Sequence, residues 1–182
     1  MKRKKAIIFG ISGQDGAYLS NFLLKKNYEV FGTTRNKSKK NLYRLQKLKI
    51  LNKIKIIKCS FVSIKFVDSL LEKNKNIQEI YYLAGEPSVT KSFTNPENSI
   101  KTNTVGILNI LLSIKKIKKK IKVFNASSAQ IFGNNKDDFY SEFSKIAPST
   151  PYAVSKASGY WLTKIFRENY SIYACSGILF NH

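Results

Sequence analysis

Apolar residues along this chain follow two alternating spacings. Short runs rich in β-branched and aromatic residues recur at 5–9, 29–33, 54–58, 79–83, 122–125 and 174–179. Between them lie longer stretches at 16–26, 42–48, 64–73, 97–116 and 152–170, whose apolar positions return every three or four residues. The first spacing predicts strands and the second helices, because side chains alternate across a strand but share a face one helical turn apart. Six strands alternating with five helices predict an α/β fold, a doubly wound parallel sheet with right-handed crossovers. No repeat, linker or shift of composition divides the chain, so residues 1–182 are read as one domain. The longest connecting segments, 85–95 and 133–149, both follow the carboxyl ends of predicted strands, where such sheets hold ligands.

Composition changes this picture little. At 182 residues and 43% hydrophobic, the chain is long and apolar enough to bury its own core. Its start, MKRKKAIIFGISGQDG, imitates an export signal. However, the apolar part at 6–11 is too short, and Gly and Asp stand where a cleavage site belongs, so the segment is read as the first strand. No apolar run approaches the ~20 residues of a membrane span. The expectation is a cytoplasmic protein with no membrane partner. Cys59 and Cys175 lack metal-ligand spacing and read as reduced structural thiols. His182 is the only histidine and the last residue, which argues against histidine catalysis and a zinc site; no metal is expected.

The net charge of +21 raises the question of nucleic acid. Only four of the 32 basic residues are arginine (Arg3, Arg35, Arg44 and Arg167), although phosphate and base recognition favours the guanidinium fork. The lysines are scattered, and their densest run, KKIKKKIK at 115–122, straddles a predicted helix end where cations suit the dipole. Nucleic acid is set aside as a partner.

Chemistry enters at Gly10-Ile-Ser-Gly13-Gln14-Asp15-Gly16, between the first strand and the first helix. Glycines there let the backbone bend tightly and let a pyrophosphate approach the helix N-terminus, whose open N–H groups favour an anion. In that position the turn predicts a dinucleotide-binding (Rossmann) domain. The end of the second strand selects the dinucleotide. An NAD site places an acid there for the ribose hydroxyls. Here no Asp or Glu occurs between Glu29 and Asp68, and Thr33, Arg35 and nearby lysines offer donors and positive charge to a 2′-phosphate. The expected cofactor is NADP.

Tyr152-Ala-Val-Ser-Lys156 sets a phenol and an ammonium one helical turn apart. The lysine charge favours the phenolate, so that tyrosine can accept a proton near neutral pH, and the same lysine can hold ribose hydroxyls. Ser128, at the end of the fifth predicted strand, can hydrogen-bond the same substrate oxygen. With the glycine turn, this set is specific for short-chain dehydrogenase/reductase chemistry.

GISGQDGAYLSNFLL, TTR, YYLAGEPSV, NTVGILNIL, TPYAVSK and YACSGILFNH occur in the order of a known pattern. On these motifs the chain resembles the extended short-chain dehydrogenase/reductases and, within them, the GDP-mannose 4,6-dehydratase family, over essentially its whole length. The resemblance implies NADP held by Gly10, Gly13, Gln14, Asp15, Gly16, Thr33, Arg35, Leu83 and Ala84, together with Tyr152 and Lys156. It implies substrate contacts at Ser88, Ser128 and Asn181, with GDP-mannose or a related nucleotide sugar as partner. Homo-oligomers, dimers or tetramers, would form through 97–116 and 152–170. In such dehydratases hydride leaves sugar C4 while tyrosine takes the hydroxyl proton. A glutamate then removes the C5 proton and helps expel the C6 hydroxyl, and the hydride returns to C6.

That glutamate's position falls at Gln130, two residues after Ser128. A carboxamide is no useful proton acceptor near neutral pH, and losing a positioned base typically costs ~10²–10⁴-fold. Cys59-Ser60-Phe61 stands where the family keeps an Asp beside adenine. Gly85-Glu86 replaces an Ala-Gln pair, which puts a carboxylate one loop away. Family members also continue well over a hundred residues further, so the substrate domain is expected to be absent from these 182 residues. The expectations are therefore a dehydratase impaired at the C5 step; a 4-epimerase or 4-keto reductase, which needs no C5 base; or a non-catalytic NADP-binding remnant.

Overall fold

A computed structural model describes residues 3–134 and 139–181. The KAIIF run forms β1 (Lys5–Phe9), in which Ala6, Ile7, Ile8 and Phe9 have no exposed surface. A strand buried on both faces needs a layer on each side. Ala6 and Ile8 pack with Ala17 and Leu23 of α1 (Gln14–Lys25) and with Leu45 of α2 (Tyr43–Lys47). Ile7 and Phe9 pack with Val67 and Leu70 of α3 (Ile64–Lys73), and with Ile107, Ile110 and Leu111 of α6 (Gly106–Ile117). Burying side chains of this size contributes ~1.5–3 kcal/mol each, which anchors β1 as the centre of the molecule.

The other strands are β2 (Glu29–Thr34), β3 (Ile54–Lys58), β4 (Ile77–Tyr82), β5 (Lys122–Ala126) and β6 (Ala174–Gly177). They form one sheet in the order β3-β2-β1-β4-β5-β6, and every pairing is parallel. The doubly wound parallel sheet of the sequence reading is therefore the fold found. β1 lies between β2 and β4, so the winding reverses beside it and a crevice opens at the carboxyl ends of β1 and β4.

Three elements differ from expectation. The single helix predicted over 97–116 is broken into α5 (Pro96–Ile100), a wider π turn over Lys101–Val105, and α6. The Tyr82 hydroxyl donates to the Thr102 carbonyl within that turn, and Gly106 leaves room for the phenol, with which a Cβ would collide. Residues read as loop form α4 (Val89–Thr94), capped by the Ser88 hydroxyl, which accepts from Lys91 N. VTKSFT is too short and too polar to show a helical period. Finally, β6 ends at Gly177, two residues early. Among the described residues no helix is long and apolar enough to cross a membrane.

Candidate cofactor and catalytic site

The turn after β1 is shaped by close backbone approach. Gly10 has φ +86°, and a Cβ there would stand 2.8–2.9 Å from the backbone of Leu83 and Ala84 at the end of β4. The amides of Gly10 and Ile11 both donate to the Thr33 carbonyl, at 3.2 and 3.1 Å, tying the turn to the end of β2. A Cβ at Gly16 would lie 2.5 Å from the Gly10 carbonyl oxygen, so that glycine lets α1 close on the strand. Gly13 plays a different part. It is the residue before α1, without a side-chain cap, and a Cβ on it would meet just the Gly10 oxygen at 3.3 Å. Open space thus faces the first amides of α1, a seat for an anion.

From that seat a cavity of about 430 Å³ runs over the end of β2, past Thr33, Thr34, Arg35 and Asn36, to Cys59 and Phe61 and back to Leu83, Ala84 and Gly85. Among the described residues no carboxylate lines it. Asn41 Nδ2 braces its rim by donating to Thr34 Oγ1 (2.8 Å) and to the Asn36 carbonyl (2.5 Å). Arg44 joins Arg35 in the lining and donates from Nη1 to the Ser12 carbonyl at 3.4 Å. The sequence reading assigned Arg44 no role, because nothing in the local pattern shows that α2 folds back over the glycine turn. The Cys59 thiol donates to the Phe61 carbonyl at 3.2 Å, and burial pushes it up to about 11, so it stays a thiol.

A second cavity, of about 200 Å³, continues the first and shares Leu83, Gly85 and Pro87 with it. Ser128, Tyr152, Lys156 and Asn181 line it, as do Asp15 and Glu86. Ser128 stands two residues past β5. Tyr152 and Lys156 come from α7 (Pro151–Tyr170), which starts on Pro151 and is capped by the Thr150 hydroxyl, accepting from Ala153 N at 3.1 Å. Burial raises the Tyr152 phenol, and its hydrogen bond with Ser128 pulls it back down. The Lys156 ammonium lies 5.9 Å from the Tyr152 ring centre and donates to the Ala126 carbonyl at 2.8 Å. Burial holds it down at about 8. The phenol thus stays above its ordinary value, the Ser128 contact offsetting part of the effect of burial.

Asn103, in the π turn, packs against Gly85. Its Nδ2 donates to Ser155 Oγ at 2.9 Å, while its buried Oδ1 has no partner. Gly85 allows this approach, since a Cβ there would collide with that oxygen and stand 3.7 Å from Lys156 Nζ. Sequence reasoning missed Asn103; its signal was the π turn, invisible in a period-based reading.

Four expected residues stand apart from both cavities, among them Gly16, whose part is the close packing of α1 on the strand. Gln14 faces Tyr18, Arg44 and Lys47 in a separate surface hollow. Ser88 is occupied as the α4 cap. Gln130 lies exposed in the short 3₁₀ turn Ala129–Phe132, its amide donating to Ser128 Oγ at 3.3 Å. His182 lies outside the described residues.

These features match known proteins. A family model described as GDP-mannose 4,6 dehydratase matches residues 7–182. A GDP-mannose 4,6-dehydratase of Vibrio cholerae is 37% identical over 188 residues, covering 100% of this chain and 50% of its own. GDP-mannose 4,6 dehydratase 1 of Arabidopsis thaliana is 36% identical, covering 99% of this chain and 52% of its own. The chain thus spans about half the length of the curated relatives it matches. Among solved structures, a UDP-Glc/GlcNAc 4-epimerase from Campylobacter jejuni superposes with TM-score 0.83 at 23% identity, covering 95% of this chain and 52% of its own. A dTDP-glucose 4,6-dehydratase from Streptomyces venezuelae, solved with NAD and TYD bound, gives 0.80 at 19%, covering 94% and 54%. The two structures speak to the fold alone. The family match and the whole-chain identity carry the assignment: this chain belongs to the GDP-mannose 4,6-dehydratase family.

Proposed function

We propose that this chain is the NADP-binding and catalytic part of a nucleotide-sugar 4,6-dehydratase acting on GDP-mannose. One observation carries the reading. The anion seat at Gly13, the carboxylate-free rim with Arg35 and Arg44, and the Ser128–Tyr152–Lys156 set lie along one continuous crevice. The residues present fit a nicotinamide dinucleotide: the Gly13 opening faces the first amides of α1, and Tyr152 and Lys156 line the continuation of the same crevice. The relatives carry the substrate class, being GDP-mannose 4,6-dehydratases themselves.

A bound nicotinamide would supply a reversible acceptor for the hydride on sugar C4. The chain's own residues do the rest. Gly10, Gly13 and the first amides of α1 hold the pyrophosphate. Arg35 and Arg44 pair with the 2′-phosphate. Lys156 holds the ribose hydroxyls, and Ser128 hydrogen-bonds the C4 oxygen. Tyr152 takes the hydroxyl proton and returns it later. Calorimetric titration tests the first half of this reading: NADP binds more tightly than NAD, and binding of neither would refute it. Incubation with GDP-mannose tests the second, through formation of GDP-4-keto-6-deoxymannose.

Gln130 favours a second reading. Exposed and without a carboxylate, it makes a 4-epimerase or 4-keto reductase the alternative, since Ser128, Tyr152 and Lys156 suffice for those reactions. A C4-epimerised nucleotide sugar without the 4-keto-6-deoxy product would select it.

We also propose that α7 mediates self-association. Val154, Trp161 and Ile165 lie exposed on one stripe, at 43%, 43% and 46%. Sedimentation velocity should show a dimer that Trp161→Glu turns into a monomer.

A further inference from the structure

We propose that Glu86, not the residue at position 130, removes the sugar C5 proton. This rests on the dehydratase reading above and names its missing base. Taking a proton from a carbon next to a ketone requires a positioned acceptor. Gln130 offers a carboxamide, is exposed, and is not among the residues lining the smaller cavity. Glu86 lines that cavity together with Ser128, Tyr152 and Lys156.

The local structure aims Glu86 there. Gly85 lets the chain pass tightly over Asn103 and within reach of Lys156. Pro87 confines the backbone of the residue before it to extended conformations. The Ser88 amide donates to Glu86 Oε1 at 3.3 Å, fixing one carboxylate oxygen and leaving the other for a proton. Among the described ion pairs none takes up Glu86. Asp15 is the other carboxylate in the lining, but it sits in the first turn of α1 beside the phosphate seat and already has an interaction of its own.

The step balances within the sugar. Glu86 accepts the C5 proton, and the C5–H electron pair becomes the second C5–C6 bond. The C6–O bond then breaks, and the departing hydroxide takes the proton back from Glu86 and leaves as water.

The test uses the whole chain with NADP and GDP-4-keto-6-deoxymannose in D₂O, following loss of the C5 proton signal by NMR against the buffer rate. NADP affinity of each variant is measured alongside by calorimetry. Glu86→Gln should slow exchange by about 10²-fold or more at unchanged NADP affinity, and Glu86→Asp should recover part of it. Adding Gln130→Glu to Glu86→Gln should restore nothing. Wild-type exchange in Glu86→Gln, rescue by Gln130→Glu, a loss confined to Asp15→Asn, or no wild-type exchange despite bound NADP would each overturn the assignment. If the wild type binds neither NADP nor NAD, the dehydratase reading itself falls and takes the assignment with it.

Discussion

The two ends of the crevice are built by different means. At the glycine turn the work is done by the backbone: amides of consecutive residues, a left-handed Gly10, and two carbonyls spaced by missing side chains. At the catalytic end it is done by side chains from distant places, among them the ends of β4 and β5, the segment after β6, and α7. At Gly10 and Gly16 the first end tolerates no added atom. The second tolerates changes of shape and depends on charge and proton position. Substitutions at the two ends should therefore fail in opposite ways.

The largest expected effect is at the turn. In Gly16→Ala the new methyl group would lie 2.5 Å from the Gly10 oxygen and 2.8 Å from Ile11 Cα. Stability should drop by ~1–3 kcal/mol, with dinucleotide binding lost altogether, as urea melts and calorimetry would show. Tyr152→Phe is the converse case. It should keep the fold and the cofactor affinity while slowing sugar oxidation ~10²–10⁴-fold, measured by single-turnover reduction of NADP.

Lys156 separates the ends by pH. Below about 8 its ammonium is charged in folded and unfolded chains alike, and burying that charge opposes folding throughout the range. As pH rises from about 8 toward the ordinary lysine value, the folded chain sheds the proton first and stability climbs. Urea midpoints at pH 7.5 and 9.5 should show this gain, and Lys156→Met should remove on the order of 1–2 kcal/mol of it. The smallest effect concerns the rim. Arg35→Ala should weaken NADP by roughly tenfold and leave NAD nearly alone, since a charge-assisted contact contributes ~1.5–3 kcal/mol before solvent competes for it.

The same contrast explains what could be read in advance. Strands with uninterrupted apolar runs, such as KAIIF, announce themselves, because a doubly covered sheet has no polar positions to confuse the period. The glycine turn is legible because steric demands leave one residue type. The Tyr152–Lys156 pair is legible because one helix carries both. Arg44 and Asn103 were not placed, because each depends on a tertiary detail, the return of α2 and a π turn; Glu86 was seen as a carboxylate one loop away, and its approach is permitted by a glycine. Gln130 shows the reverse failure. Its place in the motif was clear, but the 3₁₀ turn that carries it lets the side chain face solvent.

β1 has a consequence for how the chain is made. It leaves the ribosome well before β4, with which one of its edges pairs, Lys5 opposite Ile77 and Phe9 opposite Tyr82. Until synthesis has passed that point, its most apolar strand has an open edge and an uncovered face. Long-range parallel pairing of this kind closes slowly and leaves nascent chains exposed to aggregation. The strand that organises the finished molecule is thus also a segment a chaperone would be expected to shield until β4 is made.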